Sequence, residues 1–86
     1  MSPGRLRVQW SDEAKAELRA IDRKTALNVL YCVDHLLLTR TGNIKKLGPP
    51  LEGLRLRCGE YRVLFDYKDD GSIEITRVAH RREAYR

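Results

Sequence analysis

The stretch LRLRCGEYRVLFDY, Leu54 to Tyr67, holds two runs of alternating residues on either side of Gly59-Glu60. A period of two marks a strand with one buried face. Glycine at the first turn position tolerates the positive φ of a type II′ turn, whose twist suits a two-residue hairpin. Such a turn sets the register. Cys58 then faces Tyr61, Arg57 faces Arg62, Leu56 faces Val63, and Arg55 faces Leu64. Leu54, Leu56, Cys58, Val63 and Phe65 share one side of the hairpin; Arg55, Arg57 and Arg62 share the other. Two arginines directly opposite each other repel. A face that holds a phosphate gives that arrangement a purpose.

The chain turns again at KDDGS, where Gly71 can take a positive φ. A last strand follows in SIEITRVAH. Ile73 and Ile75 alternate, but Val78 falls out of phase. A β-bulge near Thr76-Arg77 restores the phase. The same bulge brings Arg81 to the face of Arg62. Without it Arg81 points at the buried side, where an unpaired charge is costly.

Upstream, RLRVQW alternates, with Leu6, Val8 and Trp10 on one side. Ser11 then caps a helix, and Asp12 and Glu13 suit the positive end of its dipole. Ala14, Leu18 and Ile21 make one helix face. Asp22 caps a second helix from Lys24, with an apolar stripe of Ala26, Val29, Leu30, Val33, Leu36 and Leu37. Thr41-Gly42-Asn43 ends it, with Gly42 in the left-handed position. The short link predicts an antiparallel helix hairpin. NIKKLGPPLEG reads as a loop with a short extended piece at Lys45 to Leu47. The expected fold is therefore α+β in one domain, residues 1–86: an N-terminal strand, two helices, then antiparallel hairpin strands in a twisted sheet, with the helices on one face. Trp10, Tyr31, Phe65 and Tyr67 are assigned to the core.

The chain has 86 residues, of which 42% are hydrophobic, and a net charge of +5. That composition suits a small folded domain, and the charge favours anionic partners. No apolar run approaches a membrane span, and MSPGRLRVQW lacks the apolar region of a signal peptide. The expectation is a cytoplasmic protein without a membrane partner. Cys32 and Cys58 are far apart in the sequence and fit no ligand spacing, so neither a metal nor a cofactor is expected.

LRLRCGEYRVLFDY followed by IEITRVAHRREAY resembles the RelE/ParE toxin superfamily of bacterial and archaeal toxin–antitoxin systems. VQWSDEAKAELRAID is similar to that family's first strand and helix. The resemblance implies a small domain with a twisted sheet and two N-terminal helices, and a cognate antitoxin as partner. Members resembling RelE cleave messenger RNA, usually in the ribosomal A site; members resembling ParE instead inhibit DNA gyrase. By motif, the RelE-type site falls on Arg55, Arg62, Arg81 and Tyr85, with Arg57 beside it. The spacing from Arg81 to Tyr85 is shorter than in RelE, and Gly53 takes one place of a lysine pair.

Cleavage of RNA uses its own 2′-hydroxyl. It needs in-line orientation, a base, charge stabilisation on the phosphorane and an acid for the leaving oxygen. Arginine is a poor base, because it stays protonated, but a strong phosphate clamp. Arg62 and Arg81 are assigned to transition-state stabilisation, and Tyr85 to stacking or proton transfer. Arg55, Arg57, Lys45, Lys46 and His80 are candidates for holding substrate, with messenger RNA and ribosomal RNA as partners. Strand alternation can turn His80 away from Arg81. The identity of the base stays open, and a gyrase inhibitor without nuclease chemistry stays the alternative.

Overall fold

The structure, a computed structural model, describes residues 6–84. The elements run β1 (Val8–Trp10), α1 (Asp12–Ala20), α2 (Arg23–Thr39), β2 (Ile44–Lys46), β3 (Leu54–Cys58), β4 (Tyr61–Tyr67) and β5 (Ile73–His80). They form one sheet in the order β1-β5-β4-β3-β2. Three neighbouring pairs are antiparallel; β1 runs parallel to β5, with Val8 beside Ile73 and Trp10 beside Ile75. The extended piece expected near Lys45 to Leu47 is thus a full sheet member. The α+β fold expected from the sequence is the one observed, with a fifth strand and a parallel pair added.

Local signals account for both helix starts. The Ser11 hydroxyl accepts from the Ala14 N–H and itself donates to the Thr76 carbonyl, both at 3.0 Å. Asp22 accepts from the Thr25 N–H at 3.0 Å. Each side chain satisfies a donor that the first helical turn leaves without an internal partner. The link between the helices is only Ile21-Asp22. Each helix packs mainly on the sheet, α1 against β5 and α2 against β3. The core lies between them, with Ala14, Val29, Val33, Leu36 and Leu37 meeting Leu56, Cys58, Val63, Phe65, Ile73, Ile75 and Val78.

Two expectations about α2 change. Arg40, not Gly42, takes the left-handed position, at φ 58°, and its N–H donates to the Leu36 carbonyl at 2.8 Å. The cause is Thr39, whose hydroxyl donates to the His35 carbonyl at 2.8 Å and accepts from the Thr41 N–H at 3.2 Å, closing the helix early. Gly42 instead allows close approach: a Cβ there would stand 2.9 Å from Leu56 Cδ1. The apolar stripe is also narrower than expected. Leu30 is partly exposed, and Tyr31 is 80% exposed on the outer side of the helix. Tyr67 is exposed as well, at the last position of β4, where it meets Phe65 edge-on.

The bulge in β5 lies where Val78 required it. Leu64 pairs with Arg77 and Phe65 with Ile75, which leaves Thr76 as the extra residue. Val78 then pairs with Val63 and is buried in the core. Beyond the end of β1, α1 covers the free edge of β5. Glu17 Oε1 accepts the Val78 N–H and Oε2 accepts from Arg77 Nη2, both at 2.8 Å. Glu13 adds a second carboxylate 3.3 Å from Arg77 Nε. The bond from Glu17 is the main reason the Arg77 guanidinium holds its proton more tightly than usual. We expect Glu17→Ala to cost about 2 kcal/mol, because it strands both a strand N–H and a half-buried guanidinium. Glu17→Gln, which keeps an acceptor, should cost less. Urea denaturation measures both; an alanine variant as stable as the wild type would show that Glu17 does not hold α1 to the sheet.

Candidate functional site

Gly59 has φ +59°, and Glu60 after it stays negative, the pattern of a type II′ turn. Every pair expected across β3 and β4 is present, including Arg57 with Arg62. Alternation therefore puts Arg55, Arg57 and Arg62 on the face turned away from the core. Lys45 pairs with Arg55 and joins them. Ala79 pairs with Arg62, so Arg81, two residues on, falls on the same side.

Arg62 is the best-held member. The residue is only 9% exposed. Its Nη1 donates to the carbonyls of Gly59 and Tyr61, at 2.9 and 3.0 Å. Among the described residues no carboxylate pairs with it. Among the described residues its Nε and Nη2 make no hydrogen bond. The guanidinium is thus oriented by main-chain carbonyls, and its other edge has no partner among the described residues, the shape that suits an anionic oxygen pair.

Arg81 reaches the same hairpin turn from β5. Its N–H donates to the Glu60 carbonyl at 2.7 Å. Its Nε lies 3.0 Å from Glu60 Oε2, with side chains 52% and 64% exposed. The turn therefore gathers both arginines, one through carbonyls and one through a carboxylate. Arg55 is held more loosely, with Nη1 3.4 Å from both the backbone and the side-chain oxygen of Asn43. Arg57 is exposed; its N–H donates to the Asn43 carbonyl at 3.0 Å, and its side chain makes no hydrogen bond or ion pair among the described residues.

Other candidates lie apart. Lys46 pairs with Leu54 and so faces the opposite side from Lys45. His80 pairs with Tyr61 and also belongs to that opposite side. Its ring meets Tyr61 edge-on at 5.6 Å, and its Nδ1 accepts the Arg82 N–H at 3.2 Å. That bond puts the proton of the neutral ring on Nε2. Tyr85 lies outside the described residues.

The arginine face is also not uniformly basic. Asp66 and Glu74 pair at its far end. In its middle Leu64 and Ala79 are buried, although both stand outside the main core. Positive charge is concentrated at the Gly59-Glu60 end. The sequence reading missed Glu60 as a partner of Arg81. The signal was available only in combination: the bulge fixes the β5 register, and that register puts Arg81 opposite the turn.

The two cysteines meet across α2 and β3 as free thiols. Burial, followed by the hydrogen bond with Cys32, pushes the Cys58 thiol well above its usual pKa. Among the described residues no group of three His, Cys, Asp or Glu side chains could hold a metal ion. No helix there is long and apolar enough to cross a membrane.

A family model described as the ParE toxin of type II toxin–antitoxin systems, parDE, matches residues 8–85. The chain belongs to this family. It is a toxin-type member of the RelE/ParE superfamily, as the hairpin and last strand had led us to expect. Among curated protein sequences none matches it. Solved structures show the same fold. The toxin–antitoxin complex RelBE2 of Mycobacterium tuberculosis matches with a TM-score of 0.78 at 23% identity, over 92% of this chain and 94% of that one. The archaeal RelE–RelB complex of Pyrococcus horikoshii matches with a TM-score of 0.73 at 23% identity, over 92% and 98%. The YoeB dimer of Staphylococcus aureus matches with a TM-score of 0.67 at 22% identity, over 90% and 98%.

Proposed function

We propose that this RelE/ParE-family toxin is an endoribonuclease that cleaves messenger RNA in the ribosomal A site, and that a cognate antitoxin restrains it. The observation that carries this reading is that one hairpin turn holds both Arg62, through two carbonyls, and Arg81, through Glu60. In the proposed reaction the 2′-oxygen attacks the adjacent phosphorus. Arg62 and Arg81 stabilise the charge that builds on the phosphorane oxygens. Arg55, Arg57 and Lys45 hold neighbouring phosphates, and Tyr85 is assigned to stacking or proton transfer. Lys46 and His80 stand on the opposite side and take no part. The face is open and holds its arginines without enclosing a substrate. We therefore assign the in-line orientation of the message to the ribosome, with slow cleavage of free RNA. An antitoxin with acidic or helical segments suits a face whose charge lies at one end.

The family model that matches carries the ParE name, which favours a second reading: inhibition of DNA gyrase without nuclease chemistry. Induction of the wild type and of Arg81→Ala in growing cells separates the two. We expect messages to be cut with the wild type, and cleavage by Arg81→Ala to fall about 10- to 100-fold. Intact messages together with DNA damage would overturn the ribonuclease reading in favour of gyrase.

A further inference from the structure

The proposed cleavage still lacks a group to take the proton from the 2′-hydroxyl, and the inference here rests on that reading. Arginine stays protonated at any working pH. His80 lies on the opposite side with Nδ1 engaged by the Arg82 N–H. Lys46 also faces away, and Lys45 stands in the row of Arg55, away from the turn.

Carboxylates narrow the choice further. Asp66 and Glu74 pair at the far end of the face. Glu83 acts on Arg77, whose proton it helps to hold. Glu60 is different. Its carboxylate lies 3.0 Å from Arg81 Nε. It sits between Gly59 and Tyr61, the two residues whose carbonyls hold Arg62. The same turn thus carries a carboxylate between the two residues that hold Arg62 and in contact with Arg81. We propose that Glu60 is the general base of the cleavage step.

An ion pair this exposed adds little to stability. The Glu60 side chain is 64% exposed, so its carboxylate is open to a substrate hydroxyl.

The step balances simply. Glu60 takes the 2′-hydroxyl proton as the 2′-oxygen bonds to phosphorus. The bond from phosphorus to the 5′-oxygen breaks, and the leaving oxygen takes a proton from water. The products are a 2′,3′-cyclic phosphate and a 5′-hydroxyl. Glu60 then returns its proton to the hydroxide left in solvent. Arg81 passes from the carboxylate to the phosphate as charge builds there.

Single-turnover cleavage on saturated, message-loaded ribosomes tests the assignment, using full-length wild type, Glu60→Gln and Glu60→Ala. A message with a 2′-deoxy residue at the cut site serves as the binding probe. We expect Glu60→Gln to cleave about 100-fold more slowly, with affinity for the 2′-deoxy message equal to or tighter than that of the wild type. Added formate should restore part of the activity of Glu60→Ala, which a merely structural residue would not permit. Cleavage by Glu60→Gln within about threefold of the wild type would overturn the assignment. So would a loss of binding that matches the loss of cleavage. A wild type that leaves messages intact would overturn the ribonuclease reading as well; a wild type that cuts, with a glutamine variant that cuts equally, overturns only the role of Glu60.

Discussion

Arg62→Ala should lower cleavage on the ribosome about 1,000-fold, or about 4 kcal/mol of transition-state stabilisation, and leave the protein folded. The expected loss exceeds that for Arg81 because the two guanidiniums are held differently. Arg81 is half exposed and shares its charge with Glu60. Arg62 is almost wholly buried, and its carbonyl partners do not neutralise it. Donors already aimed at the place where charge develops need no reorganisation during the reaction. Folding should survive, since the variant frees only two carbonyls in a turn at the molecular surface, at a cost of about 1–2 kcal/mol. Arg62→Lys should recover little. A lysine keeps the charge but cannot hold two carbonyls with one edge and an anion with the other. Single-turnover rates and urea denaturation on the same samples decide the matter. An alanine variant cutting within about threefold of the wild type would remove Arg62 from the site.

The hairpin that carries Arg62 was legible because its signals are local. Gly59-Glu60 sets the turn, the turn sets the register, and alternation sorts leucines from arginines. The bulge was legible for the same reason, since Val78 broke a period that Ile73 and Ile75 had established. Features that depend on distant packing were not. Nothing in VQW says that it lies parallel to β5. Tyr31 and Tyr67 look like core residues by composition, yet one stands on the solvent side of a helix and the other at a strand end. The helix end at Arg40 turned on a threonine hydroxyl that a glycine nearby had masked. The contact of Glu60 with Arg81 joins residues 21 positions apart, and needed the bulge, the turn and the β4–β5 register together.

Phe65→Ala should remove a large part of the protein's stability. Phe65 is 1% exposed and lies on β4, flanked in the sheet by Leu54 and Ile75. It also borders the bulge, since the register shifts between Leu64 and Phe65. Truncating a buried phenylalanine typically costs about 3–5 kcal/mol, from lost burial plus the cavity left behind. A domain of this size has about 4–13 kcal/mol in all. The sheet on both sides of Phe65 would sense the cavity, because Leu54 begins the β3 pairing and Ile75 is the last paired residue before Thr76. Phe65→Leu, which refills part of the volume, should recover about half of the loss. The comparison with Arg62→Ala then separates two causes of inactivity. Both alanine variants should fail to cut messages, but only Phe65→Ala should lower the unfolding free energy by more than about 3 kcal/mol, read from the shifted urea midpoint at the wild-type slope. A Phe65→Ala protein as stable as the wild type would mean that the β4 side of the core closes around the missing ring. In that case the position of Arg62, three residues earlier on the same strand, would owe less to the core than to the two carbonyls of the turn.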